Sequence, residues 1–132
     1  MSKPILCIDF DGVLHSYTSG WKGADVIPDP PVPGTLEWIA NAITDFEICI
    51  YSSRSSQKGG IEAMRSWLEY NLKEEGAPEF LVEALMKLIK FPTQKPAAFL
   101  TIDDRAICFT GTFPTYKELL EFKPWNKKES VE

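Results

Sequence analysis

The stretch "ILCIDFDGVL", residues 5–14, carries an apolar run straight into two carboxylates one residue apart. The run Ile5–Asp9 lacks clean alternation, which is the pattern of a parallel strand covered on both faces. Such a strand has no cheap place for Asp9 or Asp11. An unpaired buried carboxylate costs several kcal/mol unless something compensates it. Either these aspartates lie past the strand end in water, or they hold a cation.

The rest of the chain extends the pattern. Four more apolar stretches read as strands: Glu47–Ser52, Leu88–Phe91, Ala98–Ile102 and Ala106–Phe109. Helical periodicity fills the gaps between them. In "TLEWIANAITDF" (35–46), Leu36, Ile39, Ala40, Ile43 and Phe46 share a stripe. In "IEAMRSWLEYNLKEEG" (61–76), Ile61, Met64, Trp67, Leu68 and Leu72 do the same, and Gly76 is placed to end the helix. "PEFLVEALMKL" (78–88) starts on Pro78. In "TYKELLEF" (115–122), Thr115 and Glu118 stand at capping-box spacing, and Pro124 stops the helix.

Strands alternating with helices imply right-handed crossovers, hence an α/β, doubly wound, mainly parallel sheet of five strands with helices on both faces. At 132 residues the chain suits one domain, expected over residues 1–124, with a solvated tail at 125–132. One segment breaks the alternation. Residues 15–34, "HSYTSGWKGADVIPDPPVPG", hold four prolines and three glycines and no clear element. It leaves directly from the carboxylate pair, so it reads as a flap over a site; the plainer reading is a surface loop packed down by Tyr17 and Trp21.

Composition narrows the function. The net charge of -5 gives no general help in binding nucleic acid or an anionic membrane. Cys7, Cys49 and Cys108 each sit in an apolar run, and an odd number at buried-looking positions argues against a disulfide framework. No run approaches the roughly 20 residues of a membrane span. The expectation is a cytoplasmic protein with no membrane partner.

In open parallel sheets the site lies at the carboxyl ends of the strands. The polar clusters come there: Asp9 and Asp11, then Ser52, Ser53 and Arg54, then Asp103 and Asp104. Lys95 lies in the loop entering the Ala98–Ile102 strand. Four carboxylates at two strand ends make an oxygen-rich cage suited to a hard cation such as Mg2+. Lys95, Ser52 and Arg54 supply the donors that a phosphoryl group needs.

These stretches resemble the motifs of the haloacid dehalogenase superfamily. "DFDGVL" is similar to its D-x-D-G motif, "ICIYSS" to its second motif, and "KPAAFLTIDD" to its third and fourth, in the family's order. The resemblance implies a Mg2+-dependent phosphatase. Asp9 is then the nucleophile that forms an aspartyl-phosphate, and a metal ligand. Asp11 is the general acid/base, and its backbone carbonyl a further ligand. Ser52 bonds the transferring phosphoryl group, Lys95 neutralises charge, and Asp103 and Asp104 complete the metal site. Gly12, Ser53 and Arg54 are candidate substrate-binding positions. An aspartate at position 11 favours phosphate ester hydrolysis over dehalogenation in that superfamily.

The chain has no room for the cap domain of larger relatives. A capless, open site suits a nucleic acid end, a phosphoprotein or another macromolecule, or relies on oligomerisation for closure. A small nucleotide or sugar phosphate stays open as substrate. Other readings remain beside this one. D-x-D-G can begin a calcium loop, but Gly12 follows at once and a strand precedes. Arg54 can contact phosphate or pair with an acidic group. His15, the only histidine, lies just past the site without a required role. A non-catalytic domain that binds a phosphorylated partner, or a receiver-like phospho-accepting switch, would keep the same fold.

Overall fold

The computed structural model describes residues 2–127. The element order is β1 (Ile5–Ile8), α1 (Thr35–Ala42), β2 (Glu47–Ile50), α2 (Gly60–Glu74), α3 (Glu79–Leu88), β3 (Leu100–Ile102) and α4 (Tyr116–Leu120), then a 3-10 turn at Trp125–Lys127. The three strands form one parallel sheet in the order β2-β1-β3. Cys7 is level with Cys49 on one side and with Thr101 on the other.

The fold is α/β with an open parallel sheet, but of three strands where five were expected. The Leu88–Phe91 stretch pairs only locally. Lys90 donates to Ile48, accepts from Ile50, and makes a single bridge to Cys49. Ala106–Phe109 forms no strand and is exposed. A strand needs a neighbouring edge for its peptide groups, and this segment bends at Arg105 and does not pair with the open edge of β3.

The core lies on one face of the sheet. Leu6, Ile8, Ile48 and Ile50 point the same way by strand alternation and are buried with Leu36 and Ile39 of α1, Met64 and Leu68 of α2, and Val82 and Leu85 of α3. The crossover from β1 through α1 to β2 and the one from β2 through α2 and α3 to the Lys90 bridge outside β2 step in the same direction along the sheet, which sends their helices to the same side. The expected helical layer on both faces is therefore present on one. The opposite face carries Cys7, Cys49 and Thr101.

α4 is held by its own first turn. Thr115 and Glu118 form the full capping box, with the Glu118 amide donating to Thr115 Oγ1 and the Thr115 amide to Glu118 Oε1. α4 buries none of its residues. Cys7 and Cys49 are buried free thiols; Cys108 is free and exposed, against expectation, because its strand did not form.

The 15–34 segment is pinned rather than loose. Its ends are zipped where Ser16 donates to Pro30 and Val32 to Leu14, the closed-neck geometry of an Ω-loop. Trp67 of α2 donates its indole N–H to the Asp29 carbonyl at 2.9 Å. Trp125 and Asn126, expected in a solvated tail, also dock here. Trp125 Nε1 donates to the Gly12 carbonyl at 2.7 Å and Asn126 to the Ser16 carbonyl at 3.2 Å. Residues 128–132 of that expected tail lie outside the described residues.

Candidate functional site

Asp9 follows β1 directly, and its amide donates to the Ile102 carbonyl at the end of β3. That bond sets the two strand ends level, so Asp103 and Asp104 emerge beside Asp9. One oxygen from each of the three carboxylates lies within 4.8 Å of the others. Gly12 makes this approach possible. Its φ is +85°, and a Cβ there would collide with the Asp104 carboxylate.

Asp103 and Asp104 disturb Asp9. Burial, the hydrogen-bonded Asp104 carboxyl and the charge of Asp103 push the Asp9 carboxyl from the ordinary 3.8 up to about 8. A divalent cation would relieve that crowding, and carboxylate oxygens are ligands that a hard ion such as Mg2+ takes. The residues present fit such an ion.

Beside the acids is a cavity of about 170 Å3. Asp9, Asp103, Ser52, Ser53, Lys95 and Cys7 all line it. It opens on the sheet face that α1, α2 and α3 leave uncovered. Ser52 comes from the end of β2, where its buried backbone is fixed by a local turn. Its amide donates to Ser55 Oγ at 3.0 Å, and its Oγ accepts the Arg54 amide at 3.1 Å. The Ser52 hydroxyl proton is free to point elsewhere. Five of the sequence-derived positions thus meet around one small polar cavity, with Asp104 adjoining.

Asp11 and Arg54 are placed differently. The Asp11 side chain is not part of the acidic cluster and does not line the cavity. It turns toward the flap, where Arg54 Nε donates to Oδ2 at 2.9 Å and His15 Nδ1 lies 2.9 Å from Oδ1. Arg54 is completely buried. Its Nη1 donates to the carbonyls of Gly23, Ala24 and Val26, and Trp21 lies over the guanidinium at 4.7 Å. Of the two readings open for Arg54, the structure places it in the ionic pairing. Trp21 stacks on protein, and Tyr17 meets His15 edge-on.

His15 is buried in an aromatic box of Phe10, Trp67 and Tyr17. The Asp29 amide donates to Nε2 at 3.1 Å, so the ring proton sits on Nδ1 and is donated to Asp11. Asp29 is anchored in turn by the amide and hydroxyl of Ser19. Burial raises the Asp29 carboxyl, but the two Ser19 bonds together with His15 and Thr18 outweigh it, leaving the group below its ordinary value. No motif marks Asp29, Trp67 or Trp125 as supports of the site. Their contributions are a backbone amide, an indole N–H to a carbonyl, and an indole N–H from residue 125 to residue 12, none of which has a motif.

No family model, curated protein or solved structure matches this chain. Among the described residues, no helix is long and apolar enough to cross a membrane.

Proposed function

We propose that this protein is a Mg2+-dependent phosphomonoester hydrolase of the haloacid dehalogenase type, working through an aspartyl-phosphate on Asp9. The observation that carries this reading is the meeting of Asp9, Asp103 and Asp104 at the rim of a small cavity also lined by Ser52, Ser53 and Lys95. Carboxylates on one side and hydroxyl and ammonium donors on the other are what a metal-bound phosphoryl group requires.

Asp9, Asp103 and Asp104 would hold the Mg2+, which supplies charge compensation between an anionic nucleophile and an anionic phosphate. Lys95 balances the remaining charge, and the Ser52 hydroxyl and the exposed Ser53 orient the phosphoryl oxygens. Asp9 attacks phosphorus, and the leaving oxygen would take a proton from Asp11, which must first exchange its bonds to Arg54 and His15 for a proton and turn into the cavity. Water then attacks the aspartyl-phosphate, with Asp11 as base, releasing phosphate and restoring Asp9. The cavity is small, about 170 Å3, which suits a substrate whose remainder stays outside, such as a polynucleotide end, a nucleotide or another phosphorylated molecule.

A second reading has its own observation. The Asp11 carboxylate is engaged by Arg54 and His15, away from the cavity. A domain that stores the aspartyl-phosphate, or binds a phosphorylated partner, needs no acid/base at the phosphorus. One experiment separates these. Phosphate release is measured from aryl phosphate, nucleotides, sugar phosphates and phosphorylated oligonucleotides, with Mg2+ and with chelator. Hydrolysis expects metal-dependent turnover that Asp9→Asn abolishes. A single stoichiometric burst with a long-lived phosphoprotein supports storage. No release and no labelling by any substrate counts against both covalent readings.

A further inference from the structure

Large apolar side chains are exposed unevenly on this molecule. Among the described residues sixteen are exposed, and ten of them fall between positions 99 and 125. Six of the ten are aromatic: Phe99, Phe109, Phe113, Tyr116, Phe122 and Trp125. Phe109 and Phe113 pack ring to ring at 4.8 Å, and a groove of about 390 Å3 runs between them and α4. α4 itself has one and a half turns and no buried residue. Beyond its capping box, so short a helix has little stability of its own in water, and in proteins such segments are commonly steadied by packing.

The same region includes an open sheet edge. β3 is the last strand in the order β2-β1-β3. The Ile102 carbonyl turns inward to the Asp9 amide. By the alternation of peptide groups along a strand, Thr101 turns its N–H and C=O outward. The strand Leu100–Ile102 carries no proline, no charge and no bulge to discourage pairing.

We propose that this face, the β3 edge together with residues 105–125, is the self-association surface of the chain, covered by a second copy about a two-fold axis. Three observations point to a second copy as the occupant. An open strand is complementary to itself: with the axis at Thr101, the two Thr101 residues exchange both hydrogen bonds and the two sheets become one. The area is right. A fully covered aromatic buries roughly 150–250 Å2, so six aromatics between 38% and 85% exposed and four aliphatics offer on the order of 1,000 Å2 per protomer, against about 800 Å2 in a standard interface and a few hundred on an ordinary monomer. The charge also permits it. Residues 99–125 hold three basic and four acidic side chains, nearly neutral on a chain of net charge -5. Two such faces meet without opposing large like-signed fields.

The test is sedimentation velocity of the full chain over a micromolar concentration series, with far-ultraviolet circular dichroism on each sample. Phe113 is 84% exposed and Leu120 86%, so Phe113→Glu and Leu120→Glu leave the protomer's own packing intact. The wild-type chain is expected to sediment at twice the protomer mass. Each variant is expected to shift to the monomer, at least tenfold weaker in association, with an unchanged spectrum. Phe80→Glu, on the exposed outer side of α3, is expected to stay dimeric. A wild-type chain that is monomeric across the series overturns the proposal and leaves the face to a different protein. A dimer that survives both Phe113→Glu and Leu120→Glu overturns it as well.

Discussion

Arg54 Nε stands 2.9 Å from Asp11 Oδ2, with the arginine completely buried and the aspartate side chain 13% exposed. One side chain therefore joins the loop after β2 to the loop after β1 and, through Nη1, to the carbonyls of the flap. Removing one partner of a buried pair leaves the other charge uncompensated. Arg54→Met is expected to lower stability by about 3–5 kcal/mol. Arg54→Lys is expected to recover little, since an ammonium cannot serve Asp11 and three carbonyls together. Urea unfolding of both variants checks this; a loss under 1 kcal/mol for Arg54→Met would show that the pair is not what secures the loop.

The raised carboxyl of Asp9 gives a pH dependence with a defined sign. Folding lifts its proton affinity, from an ordinary 3.8 to about 8. Between those values the folded protein binds more protons than the unfolded chain. Its contribution to stability is full below about pH 4 and is lost as pH rises toward 8. In chelator, the melting temperature is expected to fall over that interval. Mg2+ is expected to restore it at pH 8, and Asp9→Asn to flatten the slope. A chelated wild-type profile that is level from pH 5 to 8 would sink the idea.

Gly12→Ala tests the acidic cluster by geometry instead of charge. The added methyl meets the Asp104 carboxylate, on a backbone at φ +85° that L-residues disfavour by roughly 1–2 kcal/mol. Displacing Asp104 removes one of three oxygen donors. Mg2+ affinity by calorimetry is expected to drop at least tenfold, and any phosphatase activity with it. Unaltered affinity would remove Asp104 from the proposed metal site.

Trp67→Phe keeps a ring in the aromatic box and deletes one donor. The Asp29 carbonyl is then left without its partner, a loss of about 1–3 kcal/mol. Limited proteolysis within residues 15–34 is expected to accelerate relative to the wild type, with α2 otherwise intact by circular dichroism. Equal cleavage rates would show that the zipped neck alone holds the loop.

What could be read from the sequence was what has a period or a motif. The amphipathic stripes placed α1, α2 and α3, and the apolar runs placed β1, β2 and β3. Thr115 and Glu118 announced their cap. The expected strand at 106–109 did not form because apolar composition does not dictate that the segment turns back after Arg105 onto the open edge of β3. Helices were expected on both faces because strand count and order, which decide the side, are not encoded in any one segment. In the site, strand-end acids and Ser52 were legible because a carboxylate after an apolar run has few bland explanations. The orientation of Asp11 was not. It depends on Arg54 43 positions away and on a histidine whose tautomer is set by a backbone amide.

The bond from the Trp125 indole to the Gly12 carbonyl spans 113 positions of chain. A contact of that separation carries a large loop-closure entropy and forms late in folding. During synthesis, β1 leaves the ribosome long before residue 125 exists, so the loop that begins with Asp11 and Gly12 waits with that carbonyl unmet. Helices α1 to α3 can collapse on the sheet during the wait. The loop at Gly12 then reaches its final arrangement only once Trp125 has arrived, and a ribosome stalled before that point would carry a formed core with that loop unfinished.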